Sequence, residues 1–166
     1  MEQGNCECDL SAYSGQAVVE RGKVVDGLKV GQWEGEGDNF NFTEIYDEGH
    51  LVSGTMNYAG QKFEYKKSEK SAAPADGMKS FYQNLQKNIT YPLKARRKGM
   101  QGTVFVQFLV GPGGELTNFR VVKGIGKECD DEAIRAMATS RPWQPGLLRG
   151  RPVQQLYILP VIFKLG

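Results

Sequence analysis

Histidine occurs once in this chain of 166 residues, at His50, and cysteine three times, at Cys6, Cys8 and Cys129. An odd number of thiols, two of them one residue apart, gives no basis for a disulfide framework. The same four residues are scattered and lack a paired Cys-x2-Cys spacing, so a zinc centre is not expected, and Cys129 reads as a buried, inert thiol. His50 falls in a predicted hairpin turn with no nucleophile evident beside it, which argues against a hydrolytic triad. The glycines of "GPGGE" and "GIGKE" do not complete a phosphate loop, which needs Gly-Lys followed by Ser or Thr at a helix start. No catalysis and no cofactor are expected.

Long apolar runs are also lacking. None approaches the roughly 20 residues that cross a bilayer, and the start "MEQGNCECDL" is acidic where a signal peptide is basic and then apolar. With 40% hydrophobic and 24% charged residues, the composition is that of a water-soluble protein. The net charge of +2 hides a division. Residues 1–70 hold seven Lys/Arg against thirteen Asp/Glu, and residues 71–166 hold fourteen against six, so two surfaces of opposite preference are expected.

What is present divides the chain at "KKSEKSAAPADG" (66–77), which has no apolar periodicity and reads as a linker between residues 1–70 and 78–166. Upstream, "NFNFTEIYDEGHLVSGTMNYAGQKFEY" alternates aromatic or β-branched residues with polar ones, and turns at Asp47-Glu48-Gly49 and Ala59-Gly60 mark a hairpin series. Glu44, Asp47 and Glu48 read as acids on a hairpin surface. Laying "DGLKVGQW" over "EGHLVSGTM" brings Gly27 onto Gly49 and Gly31 near Gly54, a period of 22 to 23 residues. The pattern over residues 13–65 resembles MORN-type repeats; a generic β-meander is the competing reading.

Downstream, Met78, Phe81, Tyr82 and Leu85 lie at helical spacing, so residues 77–89 predict an amphipathic helix. Pro92 ends it and can open a short second helix at its first position, with Gly99 as terminal cap and Lys94, Arg96, Arg97 and Lys98 in its last turns. "GTVFVQFLVGPGGELTNFRVVKG" predicts a hairpin with Val104, Val106, Phe108 and Val110 on one face. "CDDEAIRAMATS" predicts a helix capped by Asp130 or Asp131. Trp143 reads as a core anchor. The closing stretch "RPVQQLYILPVIFKLG" predicts a strand, and Pro160 inside it requires an edge position or a bulge.

These motifs in this order, "ITYPLKARRKGMQGTVFVQFLV", "GPGGELTNFRVVKGIG", "CDDEAIRAM", "WQPGLLRGRPV" and "YILPVIFKL", resemble the C-terminal domain of TonB, the periplasmic energy transducer of Gram-negative bacteria, in its Bacteroidetes-like form. For residues 78–166 the resemblance implies a three-stranded antiparallel sheet packed on two helices, so with the small antiparallel, MORN-like β-hairpin region before it the expected fold is α+β. The resemblance also implies a non-enzymatic, periplasmic interaction module, whose partner is the N-terminal peptide of an outer-membrane TonB-dependent receptor, added as an extra strand to a sheet edge. The edge expected from the closing strand is Val153, Gln154, Gln155, Leu156, Tyr157, Ile158 and Leu159. Carried over from the family, Asn88, Tyr91, Pro92, Lys94 and Arg96 make further contacts, the cations steering the encounter with receptor carboxylates.

The basic cluster lacks the interleaved exposed aromatics of a nucleic-acid platform, so no nucleic-acid partner is expected. Edge-strand pairing would also allow a homodimer. An apolar helix upstream of Met1 would make the protein an anchored transducer that also meets the inner-membrane motor complex, and a cleavable leader would make it a free periplasmic protein. The competing function is a soluble envelope scaffold that uses the MORN-like hairpins for interaction and transmits no force.

Overall fold

The computed structural model describes the backbone of residues 3–9 and residues 18–165. Among these residues the chain forms strands β1 (Gln3–Asp9), β2 (Val19–Val25), β3 (Leu28–Gly37), β4 (Phe40–Asp47), β5 (His50–Tyr58), β6 (Gln61–Tyr65), β7 (Glu69–Lys70) and β8 (Ala73–Pro74), then helices α1 (Gly77–Asn88) and α2 (Leu93–Arg97). Strands β9 (Gly102–Val110) and β10 (Leu116–Lys123), helix α3 (Lys127–Ala138), and strands β11 (Trp143–Gln144), β12 (Gly146–Leu148), β13 (Arg151–Val153) and β14 (Gln155–Phe163) follow. The fold is α+β with antiparallel sheets, as expected. Two compact units result, one of Met1–Lys70 with Leu147–Arg151 and one of Ser71–Gly146 with Pro152–Gly166. The stretch read as linker carries the short strands β7 and β8.

The first unit is a six-stranded meander in the order β1-β2-β3-β4-β5-β6. Its tight connections Glu48-Gly49 and Ala59-Gly60 both hold two residues at positive φ, 45° and 81° in one and 48° and 80° in the other. Two such residues in succession make a turn whose twist matches that of the strands it joins. One sheet face carries Trp33, Phe42, Met56 and Tyr65, all buried. Three of these rings lie over glycines. A Cβ placed on Gly22, Gly35 or Gly54 would stand 2.2, 2.1 or 2.3 Å from Trp33, Phe42 or Tyr65 respectively. Each glycine thus gives an aromatic ring room to lie flat on the sheet, which is why Gly and aromatics alternate here. The MORN-like match begins at residue 13, and its part before Val18 lies outside the described residues, as do the side chains of Cys6 and Cys8.

The second unit is built on the sheet β10-β9-β14. Val104, Val106, Phe108 and Val110 of β9 are fully buried on one face, as their alternation predicts. Against them pack Phe81 and Leu85 of α1 and Cys129, Ala133, Ala136 and Met137 of α3. Trp143 anchors this core, edge-on to Phe81, Phe108 and Tyr157 at 5.4, 5.5 and 5.2 Å. Burying such rings and aliphatic side chains contributes about 1.5–3 kcal/mol each.

Three expectations need correction. Helix α3 starts at Lys127 behind Gly126, so Asp130 lies inside the first turn and is not its N-cap. Its carboxylate accepts the Ile125 amide at 3.0 Å, and the acids of this turn suit the positive end of the helix dipole. Pro92 is the N-cap of α2 with ψ 131°, one position earlier than its expected place. The closing stretch is two strands, because the chain leaves β13 at Val153 and begins β14 at Gln155.

Candidate functional site

Strand β14 is the outer strand of its sheet. It pairs with β9 from Gln155↔Val110 to Phe163↔Gly102 without a register shift, and no described strand pairs with its other flank. Tyr157, Leu159, Val161 and Phe163 turn to the core, with Tyr157 stacked on Phe108 at 6.0 Å. The alternate residues face outward, and Leu156 and Ile158 are 57% and 49% exposed. Two side chains fix the start of the strand, since Gln155 accepts the Ala72 amide at 2.7 Å and the Tyr157 hydroxyl donates to the Ala72 carbonyl at 2.7 Å. Of the residues expected at this edge, Gln155 to Leu159 lie on it. Val153 belongs to β13, which pairs in a different sheet, and Gln154 is the joint between the two strands.

The Tyr-Pro bend is held from both sides. Arg135 forms a two-pronged pair with Glu132, both bonds 2.7 Å, and the same guanidinium donates to the Asn88 carbonyl at 2.6 Å where α1 ends. Glu132 in turn accepts the Thr90 amide at 2.6 Å. Hydrogen bonds from Arg135 lower the Glu132 carboxyl from its ordinary value; burial opposes this and the Thr90 amide adds to it. Tyr91 is half-buried, edge-on to Phe163 at 5.7 Å, with its hydroxyl donating to the Met100 carbonyl. Lys94 and Arg96 are exposed on α2, while Lys98 pairs with Glu128 at 3.6 Å.

Tyr91 touches the end of β14 at Phe163, beside Ile162, which is 54% exposed on the same outer face as Leu156 and Ile158. Leu159, the last residue of the expected edge, lies four residues back from Phe163, roughly 13 Å along the strand at about 3.3 Å per residue. The two groups thus follow one another along a single strand.

One cluster was not legible in the sequence. In the first unit, Glu20 and Glu44, 1% and 0% exposed, both reach the guanidinium of Arg149, at 2.8 and 3.0 Å. Glu44 also accepts the hydroxyls of Tyr46 and Tyr65, at 3.0 and 2.8 Å, and Glu20 accepts Lys29 at 2.5 Å. The arginine lies flat on the Phe42 ring, 3.6 Å from its centroid. Burial lowers the Arg149 pKa, but Glu44 and Glu20 more than offset it and hold the guanidinium charged. Burial, then the Glu44 charge, raises both tyrosines, so their hydroxyls remain donors. Two carboxylates and two cations therefore sit in balance. Glu44 is thus no surface acid, and the Tyr46 and Tyr65 hydroxyls on alternate strands were the available hint of a buried acceptor.

His50 is exposed at the head of β5, Cys129 is buried in the core of the second unit, and burial pushes its thiol upward. Among the described residues no group of three His, Cys, Asp or Glu could hold a metal ion, and no helix is long and apolar enough to cross a membrane. The sheet of the second unit has β9 at its centre and two outer strands, β10 and β14, each without a described strand on its far side.

Residues 87–165 match the family model of the Gram-negative bacterial TonB protein C-terminal domain, which covers just under half of the chain. That family is one of non-enzymatic protein-interaction domains; its members are periplasmic and generally interact with outer-membrane TonB-dependent receptors. Among solved structures, the chain is similar to the NMR solution structure of the Helicobacter pylori TonB C-terminal domain, 22% identical over 52% of this chain and 82% of that one, with a TM-score of 0.39. A likeness that loose carries no detail across. No curated protein matches the chain.

Proposed function

We propose that the second unit is the receptor-binding module of a TonB-type energy-transduction system. It takes the N-terminal peptide of an outer-membrane TonB-dependent receptor as an added strand on the free flank of β14. The observation that carries this reading is the position of β14 at the sheet edge, with Leu156 and Ile158 exposed beside it. Main-chain hydrogen bonds give such a complex its affinity, and alternate side chains give it selectivity. Gln155 to Leu159 form the docking flank in this reading, with Val153 and Gln154 at its approach. Lys94 and Arg96 steer acidic receptor segments, and Asn88, Tyr91 and Pro92 shape the bend beneath them.

The reading extends to a periplasmic location, to the inner-membrane motor where the chain is anchored, and to MORN-like hairpins in the first unit. Titration with a receptor N-terminal peptide, followed by backbone amide shifts, tests it. Shifts along residues 155–159 are expected, and silence there refutes it. A second reading, an envelope scaffold, draws on the exposed Leu28, Ile45 and Val52 of the first unit. Concentration-dependent self-association without peptide binding would favour it, and the edge-paired homodimer is its simplest form.

A further inference from the structure

The free flank of β14 is shorter than the strand itself. Its ladder with β9 runs unbroken through Pro160↔Phe105. Proline has no amide hydrogen, so it fits such a ladder when its nitrogen points away from the partner strand, here toward the open flank. A second contact gives the same phase. The Ile162 carbonyl accepts Gln86 Nε2 of α1 at 3.4 Å, so it too turns away from β9. Backbone groups alternate sides along a strand. Leu156, Ile158, Pro160 and Ile162 therefore present their main-chain groups to the flank, and Tyr157, Leu159 and Val161 bond to β9.

A visiting strand then finds amide donors at Leu156 and Ile158 and carbonyl acceptors at Leu156, Ile158 and Pro160. At Pro160 there is no donor, and at Ile162 the carbonyl is already engaged by Gln86, which leaves the Ile162 amide as a lone donor past the gap. On the other side, the chain before Gln155 turns away into β13. The usable flank spans residues 156–160, about 13 Å, which matches roughly five extended residues. The residues that offer their backbone to the flank also place their side chains on the outer face, where Leu156 and Ile158 are exposed. Side chains opposite each other on one face of an antiparallel pair lie about 5 Å apart, so a visitor gains most from apolar groups at alternate positions.

We infer that the flank of β14 takes a peptide of about five extended residues, apolar at alternate positions, and that Pro160 and Gln86 set its length. The inference rests on the strand-addition reading above and goes beyond it in fixing phase, length and side-chain class. The same two residues guard an otherwise open edge against pairing with further chains.

Capped peptides of alternating valine and threonine, five and nine residues long and carrying a lysine at each end, serve as probes. With the intact protein, amide shifts are expected at Leu156 and Ile158 but not at Ile162, and the nine-residue probe should bind within twofold of the five-residue one. Pro160→Val restores one donor within the footprint of both probes, and one added main-chain hydrogen bond is expected to tighten each by roughly twofold to tenfold. Shifts appearing at Ile162 in the unaltered protein, or a gain of tenfold on lengthening the probe, would overturn the inference while leaving strand addition intact. Failure of both probes and of the receptor peptide to shift residues 155–159 would overturn strand addition itself. Gln86→Ala supplies a second variant if Pro160→Val misfolds, and with it the nine-residue probe should gain contacts reaching the Ile162 carbonyl; no gain counts against Gln86 as a limit.

Discussion

Replacing Arg149 by asparagine sets two forces against each other at one residue. Arg149 and Gly150 join β12 to β13 with φ of 47° and 76°, a two-residue turn in which asparagine is the favoured first residue. A left-handed conformation costs an ordinary residue about 1–2 kcal/mol, much of which Arg149→Asn would relieve. Against this, the substitution leaves Glu20 and Glu44 buried without their shared cation. Breaking a buried pair from one side costs about 3–5 kcal/mol. Lys29 still serves Glu20, and Tyr46 and Tyr65 still donate to Glu44, which argues for the lower part of that range.

The net expectation is a loss of about 2–4 kcal/mol from the first unit, the turn gain being the smaller term. Amide hydrogen exchange reads it locally. Protection of the amides in Phe40–Asp47 and His50–Tyr58 should fall roughly thirtyfold to a thousandfold, at 1.36 kcal/mol for each factor of ten. Adding Glu44→Gln to the variant should return part of the loss, because Glu20 keeps Lys29 as its partner and no buried carboxylate is then left without a cation. Unchanged or slower exchange in Arg149→Asn would show that turn preference governs the site and would refute the account of the cluster.

Other outcomes follow from the same structure. Gly35→Ala places a Cβ 2.1 Å from the buried Phe42 ring, and overpacking of this kind should cost about 1–3 kcal/mol in urea unfolding of the first unit. Glu132 has its carboxyl held below the ordinary value, so the stability it contributes is complete above about pH 4.3 and lost as pH falls through its lower native value. The Thr90 amide resonance should report that titration, and Glu132→Gln should abolish it. Pro160→Val removes a guard from the open flank, and sedimentation should detect more dimer at a given concentration than in the unaltered protein.

Much of the fold was legible locally. The alternation of Val104, Val106, Phe108 and Val110 names the buried face of β9 because a strand repeats every two residues, whatever it packs on. Pro92 breaks a helix for reasons confined to its own ring. The cap of α3 was misjudged because an aspartate beside a helix suits an N-cap and a first turn equally well. Here Gly126 took the cap and left Asp130 to hold the Ile125 amide. Pro160 marked its strand as edge or bulge, and the sheet order β10-β9-β14 chose the edge.

The sequence by itself determined where the chain turns, which face of each strand is apolar, and the family resemblance of its second half, since all of these reside in near neighbours or in the order of motifs. Only the tertiary structure decided that Glu44 is buried, because the arginine that neutralises it lies 105 residues away. It alone also decided which backbone groups of β14 are left unpaired. A hydrogen-bonding flank is a property of the strand next door, and no stretch of sequence records its own neighbour.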